Sequence, residues 1–163
     1  MKKIFFILII SAACFASVSA QQVIVYPAED PVFSISFPED WIVNLDEESI
    51  SATPSDSSIS FNIIALDAAD IDSAIAYADL FLSDMFQDLE LDDPISEEYN
   101  GLNFLSISGS GTDESGTEIY VDVELISDNE GQYFMLFYFG TPDSETAHDQ
   151  EIQFIDESIT KVK

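Results

Sequence analysis

Residues 132–139, Gln-Tyr-Phe-Met-Leu-Phe-Tyr-Phe, constrain the fold more than any other segment of this chain. A β-strand points alternate side chains to opposite faces of its sheet, and this run is apolar at both sets of positions. Such a strand is stable at the centre of a sheet whose two faces are both covered. The sequence therefore predicts a layered domain with a buried central strand.

Shorter alternating runs surround this strand. They predict four strands near the start, at residues 33–37, 41–45, 49–53 and 59–66. In the second of these, Trp41, Val43 and Leu45 are expected to share one face. The spacing then changes to three and four between apolar residues, which predicts a helix over 70–91 with Asp70 as its N-cap.

Strand patterns resume at residues 95–99, 102–108 and 119–125, and a second helix is predicted over 145–162. Asn100-Gly101 is a strong signal for a tight hairpin between the first two of these strands. The predicted order is ββββ-α-ββββ-α. Because the helices are the candidates for covering the sheet, we expect an α+β fold, a three-layer α/β/α sandwich with a mostly antiparallel central sheet of about six to eight strands.

The first 20 residues read as a secretory signal peptide. Lys2 and Lys3 precede an apolar stretch, and Val18-Ser19-Ala20 fits a signal peptidase site before Gln21. The unbroken apolar run, residues 4–10, is shorter than the ~20 residues that span a bilayer. We expect residues 1–20 to be removed and residues 21–163 to form one globular domain, exported to the periplasm or the extracellular space.

An alternative is lipid anchoring at Cys14, because Ser11-Ala12-Ala13-Cys14 resembles a lipobox. Ser11 departs from the bulky aliphatic residue that usually opens that motif. Cys14 is the only cysteine, so cleavage after Ala20 would leave a domain without a disulfide or a thiolate ligand. Such a domain must depend on its hydrophobic core for stability.

The charge balance is the second strong constraint. After residue 20 the chain has 32 acidic residues against two lysines, Lys161 and Lys163, which gives a formal charge of −30. This excludes nucleic acid, which requires a basic surface, and disfavours anionic membranes and phosphate-bearing substrates. With 47% hydrophobic residues the chain still has enough apolar content for a core.

Two explanations of this acidity remain open. The first is adaptation to high salt, because salt screens the self-repulsion of a highly charged surface. The second is a cation-binding surface. Calcium would be the metal, because it prefers oxygen ligands. The candidate ligands are Asp67, Asp70 and Asp72, a pair at Asp113 and Glu114, and a pair at Asp128 and Glu130; none matches an EF-hand loop.

Phe33-Ser-Ile-Ser-Phe-Pro38-Glu-Asp-Trp41 resembles the opening of PsbP-like domains, in which a short strand leads into a proline, a turn and a tryptophan. The element order of residues 21–163 and the final helix with Ser158-Ile159 are also similar to this family. The resemblance implies the PsbP-like fold and a role as a binding or assembly module. The basic residues with which the plant subunit docks a photosystem have almost no counterpart here.

Other motifs carry less information. Glu145-x-x-His148 has di-iron spacing, but those sites need two such motifs, so we expect His148 to be an exposed residue of the first helical turn. Gly109-Ser110-Gly111 is expected in a flexible hairpin loop, and Asp128-Asn129-Glu130-Gly131 in a hairpin turn. Carboxylate pairs are unavoidable in so acidic a chain.

The sequence therefore predicts an exported, acidic, non-catalytic binding or assembly module. We expect a monomer that binds a protein or a small apolar ligand, and no catalytic residue or bound cofactor. One alternative is a calcium- or cation-binding envelope protein. The other is a carboxylate-dependent hydrolase, which would require a cleft holding two carboxyl groups, one with a raised pKa.

Overall fold

A computed structural model describes residues 21–128 and 130–162. The proposed signal segment, residues 1–20, lies outside the described residues. The elements before the first helix are β1 (Gln21–Tyr26), β2 (Phe33–Pro38), β3 (Ile42–Leu45), β4 (Ser49–Thr53) and β5 (Ile59–Leu66). They are followed by α1 (Ile71–Met85), β6 (Gln87–Leu91), β7 (Ile95–Tyr99), β8 (Leu102–Thr112), β9 (Glu118–Ser127), β10 (Tyr133–Gly140), α2 (Pro142–Glu157) and β11 (Thr160–Lys161).

The strands form two antiparallel sheets. The large sheet has eight strands in the order β3-β4-β5-β10-β9-β8-β6, with β7 paired to the same side of β8 as β6. The small sheet has the order β1-β2-β11. Strand β10 lies between β5 and β9 and is buried along most of its length, which confirms the prediction of a central strand.

Both faces of the large sheet are covered, so the predicted α+β sandwich is confirmed. Helix α1 packs one face, where Ala74, Ala78 and Leu82 meet Met135 and Phe137. The opposite face is covered by α2 together with the small sheet, whose β2 brings further aromatic side chains into the core. This second outer layer is a helix and a sheet, whereas the sequence predicted a helix alone.

Helix α1 begins as predicted but ends early. The Asp70 side chain accepts hydrogen bonds from the Ser73 backbone N–H at 2.9 Å and from its hydroxyl at 2.6 Å, a capping box. The prediction of a helix up to residue 91 is wrong, because Gln87–Leu91 forms β6 on the edge of β8. The helical spacing of apolar residues continues through Gln87–Leu91, but pairing with β8 makes this segment a strand.

Glycines on β8 make that pairing feasible. Gly109 and Gly111 lie within β8, so the prediction of a flexible loop at this position is wrong. A Cβ added at Gly109 would clash with the Glu90 carbonyl oxygen, and one at Gly111 would lie 3.0 Å from that of Gln87. The missing side chains therefore allow β6 to approach the backbone of β8.

Helix α2 is shifted towards the N-terminus relative to the predicted 145–162. It begins at Pro142 with Thr141 as N-cap, and it ends at Glu157 because Ser158 leaves the helix to lead into β11. The Ser158 hydroxyl oxygen accepts a hydrogen bond from the Ser36 backbone N–H at 2.8 Å. This contact fixes the end of α2 to the middle of β2.

Two local predictions have opposite outcomes. Asn100 and Gly101 have positive φ values of 48° and 81° and join β7 to β8, which confirms the tight hairpin. The prediction of a shared face for Trp41, Val43 and Leu45 is wrong: Trp41 is buried before β3 begins, whereas Leu45 is exposed on this edge strand.

Neither of the two described helices has the length and apolar character that a membrane span requires.

Candidate functional site

A cleft of about 290 Å³ opens between α2 and the β7–β9 part of the large sheet. Four acidic side chains, two aromatic rings and one hydroxyl line it: Glu97, Tyr99, Phe104, Ser106, Glu124, Asp156 and Glu157. None of these seven residues carries a basic group. We call this feature the α2 cleft.

Strand alternation places the polar residues on the cleft side. On β9, Ile119, Val121, Val123 and Leu125 are buried in the α1 layer, so Asp122 and Glu124 point to the α2 layer. Their register partners on β8 are Ser108 and Ser106. Ser106 donates to Glu124 Oε1 at 3.1 Å, and Ser108 donates to Asp122 Oδ2 at 2.7 Å. Two strands thus hold two carboxyl groups and their serine partners on the face that α2 covers.

Asp156 reaches the same region from α2. It lies four residues after Ile152 on the same helix, and Ile152 is buried in the core. Residues at this spacing share one helix face, so Asp156 points towards the sheet rather than to solvent. One of its oxygens, Oδ1, is buried and has no hydrogen-bond partner among the described residues, and the same is true of Glu124 Oε2.

Burial without compensating cations raises the pKa values of all three carboxyl groups. Desolvation, reinforced by the charges of Glu124, Asp122 and Glu157, raises the pKa of Asp156 to about 9. Desolvation and the charge of Asp122 raise the pKa of Glu124 to about 7, although the Ser106 hydrogen bond opposes this. Burial also raises the pKa of Asp122. At neutral pH Asp156 is therefore protonated and Glu124 is close to its midpoint.

The metal candidates from the sequence lie elsewhere, in turns and at a helix start. Asp70 caps α1, while Asp128 Oδ1 accepts the backbone N–H groups of Glu130 and Gln132 at 3.0 and 2.9 Å, as expected for a hairpin turn. Asp67 and Asp72 are exposed. Within residues 21–128 and 130–162, no group of three or more His, Cys, Asp or Glu side chains has a metal-binding arrangement. A calcium site at Asp67, Asp70, Asp72, Asp128 or Glu130 stays a prediction.

The prediction that His148 is an exposed first-turn residue is wrong. Its side chain is only 15% exposed, its ring packs edge-on against Trp41, and its two nitrogens lie 2.8 Å from Glu151 Oε2 and 3.3 Å from Asp56 Oδ2. Burial opposes protonation, but these two carboxylates outweigh it and raise the pKa of His148. The same Glu151 oxygen accepts the Trp41 indole N–H at 2.9 Å. This network joins α2 to the β4–β5 turn and has a structural role.

The α2 cleft was not predicted from the sequence, although the sequence contains two signals of it. Acidic residues alternate with core residues on a strand next to the central one, and Asp156 lies among the core isoleucines of α2. Each signal was hidden by the abundance of acids, which made any single carboxylate uninformative.

The architecture belongs to a known class, the PsbP-like fold. A cyanobacterial PsbP from Synechocystis has a TM-score of 0.61, with 10% identity over 94% of this chain and 99% of its own. LpqN of Mycobacterium tuberculosis, involved in cell envelope biogenesis, has a TM-score of 0.58, with 18% identity over 88% of this chain and 92% of its own. The Saccharomyces cerevisiae Ran-binding protein Mog1p has a TM-score of 0.55, with 9% identity over 86% and 95%.

These likenesses are structural, and they confirm the fold that the resemblance implied. Neither a protein-family model nor a curated protein sequence matches the chain. The function must therefore be argued from this chain's own residues.

Proposed function

We propose that this protein is an exported, non-catalytic binding module that takes a protein partner at the α2 cleft. The observation that carries the proposal is the cleft itself, where acidic side chains and the aromatic rings of Tyr99 and Phe104 surround an opening of about 290 Å³. Recognition sites typically combine apolar walls with a few polar groups in a concave surface. The unpartnered oxygens of Glu124 and Asp156 are polar groups that the fold itself does not use.

The structural neighbours support a binding role. One of them is described as a Ran-binding protein and another as involved in cell envelope biogenesis. Because fold alone does not transfer function, their partners are not carried over to this chain. What they support is the use of this architecture to present a recognition surface.

Export is the second part of the proposal, and it depends on residues 1–20. The intact mass of the protein recovered from the producing cell tests it: cleavage after Ala20 gives a chain that starts at Gln21. A mass that corresponds to a lipidated N-terminal Cys14 would instead indicate a membrane-tethered form. An uncleaved chain would contradict both forms of processing.

Site-specific photo-crosslinking tests the cleft as the partner site. A benzoylphenylalanine is placed at Tyr99, which lines the cleft, and at Leu80, which is 70% exposed on α1 across the large sheet. We expect irradiation in the native envelope or medium to give a discrete adduct from position 99 and none from position 80. Equal adducts from both positions, or none from position 99, would contradict the proposal.

A carboxylate-dependent hydrolase is the second candidate, because such an enzyme requires a cleft with two carboxyl groups, at least one of which has a raised pKa, and the α2 cleft has both features. Two carboxyl groups, Asp156 and Glu124, have pKa values raised to about 9 and about 7. Burial argues against catalysis, since Glu124 Oε1 is held by Ser106 and Oε2 is inaccessible to a reacting atom. Turnover of p-nitrophenyl glycosides or esters that Glu124→Gln abolishes would overturn the non-catalytic assignment.

A further inference from the structure

We propose that the occupant of the α2 cleft is a lysine or arginine side chain, carried by an extended basic segment of a protein partner that lies along the free edge of β7. This inference rests on the proposed function and specifies the chemistry of the partner. It joins three features of the described structure: uncompensated carboxyl groups, aromatic walls, and an open strand edge beside them.

The charge of the cleft indicates a cation. Glu97, Glu124, Asp156 and Glu157 line it, and no basic residue is among the lining residues. One oxygen of Glu124 and one of Asp156 are buried without a hydrogen-bond partner, an arrangement that costs free energy in the empty cleft. An ammonium or guanidinium group bound in the cleft would favour ionisation of these carboxyl groups through its charge, without contacting the two buried oxygens, because an opposite charge within about 4–6 Å compensates desolvation.

The walls indicate that the cation has an apolar stem. Tyr99 and Phe104 line the cleft and lie with their ring centroids 6.3 Å apart. Lysine and arginine side chains pack their methylene groups on apolar surfaces while the head group contacts charge, and both cations bind favourably to aromatic faces. A bare metal ion would make no use of these rings.

The neighbouring strand edge indicates a polypeptide rather than a free amine. Strand β7 pairs only with β8 among the described strands, so its outer edge presents unpaired backbone groups. Every residue of β7 is exposed, and Glu97 and Tyr99 belong both to this strand and to the cleft lining. A partner strand added to this edge would place alternate side chains towards the cleft. Glu97 and Glu98 favour a basic segment there.

Matched peptides test the inference. The probe is an acetylated, amidated pentapeptide Ala-Ala-Lys-Ala-Ala, with an arginine version beside it. The controls replace lysine by norleucine and arginine by citrulline, which remove the charge and keep the stem. Binding is measured by calorimetry and by backbone amide shifts in the NMR spectrum, at about 0.5 M NaCl to screen the general acidic surface.

We expect the basic peptides to bind at least tenfold more tightly than their neutral controls, with amide shifts confined to β7, the start of β8 and the end of α2. Glu124→Gln with Asp156→Asn should abolish the difference. Asp79→Asn removes a charge from the exposed side of α1 and should retain the difference in affinity between basic and neutral peptides. Amides keep the shape of the carboxyl groups and relieve their repulsion, so both variants are expected to fold.

Three results would overturn the inference: equal binding of basic and neutral peptides, shifts scattered over the acidic surface, or the same loss in the Asp79 variant as in the cleft variant. A free butylammonium ion that binds as tightly as the lysine peptide would overturn the peptide assignment. If crosslinking at Tyr99 finds a partner but these peptides do not discriminate charge, the binding role stands and the basic segment is wrong.

Discussion

Asp156→Asn is expected to remove most of the pH dependence of this protein's stability. In the folded protein the pKa of Asp156 is raised to about 9, because burial and three neighbouring acids disfavour its charge. In the unfolded chain the same group has its ordinary value of 3.8. Between these two values Asp156 binds a proton in the folded state and not in the unfolded state, so its contribution to stability is fully present below pH 3.8 and is lost as the pH rises towards about 9.

The magnitude follows from proton linkage. Each pH unit between the two pKa values costs about 1.4 kcal/mol per group. From about pH 5 to about pH 8, Asp156 alone therefore lowers the free energy of unfolding by about 4 kcal/mol. Glu124 adds to this slope until its pKa of about 7 is reached. Asparagine cannot ionise, so the variant should lose the Asp156 contribution to the pH dependence. Its free energy of unfolding should therefore fall less than that of the wild type as the pH rises to about 8.

Urea unfolding at several pH values measures this effect. Trp41 is the only tryptophan and is buried, so its fluorescence reports unfolding of the core. High NaCl, held constant, screens the general repulsion among the surface acids. Asp79→Asn is the matched control, because it removes the same charge from an exposed position.

A wild-type stability that is flat or rises over this pH range would refute the linkage argument. An Asp156→Asn variant that kept the pH dependence of the wild type would show that other groups take up the proton. A slope lost equally in the Asp79 control would show that general charge repulsion, and not burial of Asp156, controls the stability.

Three further predictions follow from the fold. Ser158→Ala removes the hydroxyl that lies 2.8 Å from the Ser36 backbone N–H, so the free energy of unfolding in urea should fall by about 1 kcal/mol. Thr160→Ala is the exposed control. No loss of stability in Ser158→Ala would mean that water replaces the hydroxyl. Gly109→Ala forces a Cβ towards the Glu90 carbonyl, so it should cost about 1–3 kcal/mol of stability and increase hydrogen exchange in β6. Gly116→Ala is the control: its Cβ would have open space, and although its φ of 79° is strained, it should leave exchange in β6 unchanged. Unchanged exchange in both variants would contradict the close contact of β6 with β8. Raising NaCl to molar concentration should raise the melting temperature, because salt screens the formal charge of −30 on residues 21–163, which have 32 acids and two lysines. A flat or falling melting temperature would contradict the salt-adaptation hypothesis.

The local elements were largely readable from the sequence. Alternation marked β2 and β9, two-sided apolarity marked β10 as central, and Asp70 and Asn100-Gly101 marked a helix start and a hairpin. These features depend on neighbours one to four residues away, which is the range over which side-chain periodicity and turn chemistry act. They were sufficient to predict the layered α+β fold.

Long-range pairing was not readable. Gln87–Leu91 has apolar spacing that suits a helix, but the backbone of β8, with Gly109 and Gly111, offers hydrogen bonds that a continued helix could not use at this edge. Strand β1 was missed although Val23-Ile24-Val25-Tyr26 is rich in residues that favour strands, whereas the two residues of β11 are too few to carry a pattern and are defined by pairing with β2.

By itself, the sequence determined the excess of negative charge, the central strand and the class of fold. The tertiary structure alone decided which of the 32 acids matter. Asp156 and Glu124 are separated by more than 30 residues and meet only because α2 crosses the face of the sheet to which β9 directs its even-numbered side chains. Their altered protonation comes from burial and mutual repulsion, and both are properties of the packed structure.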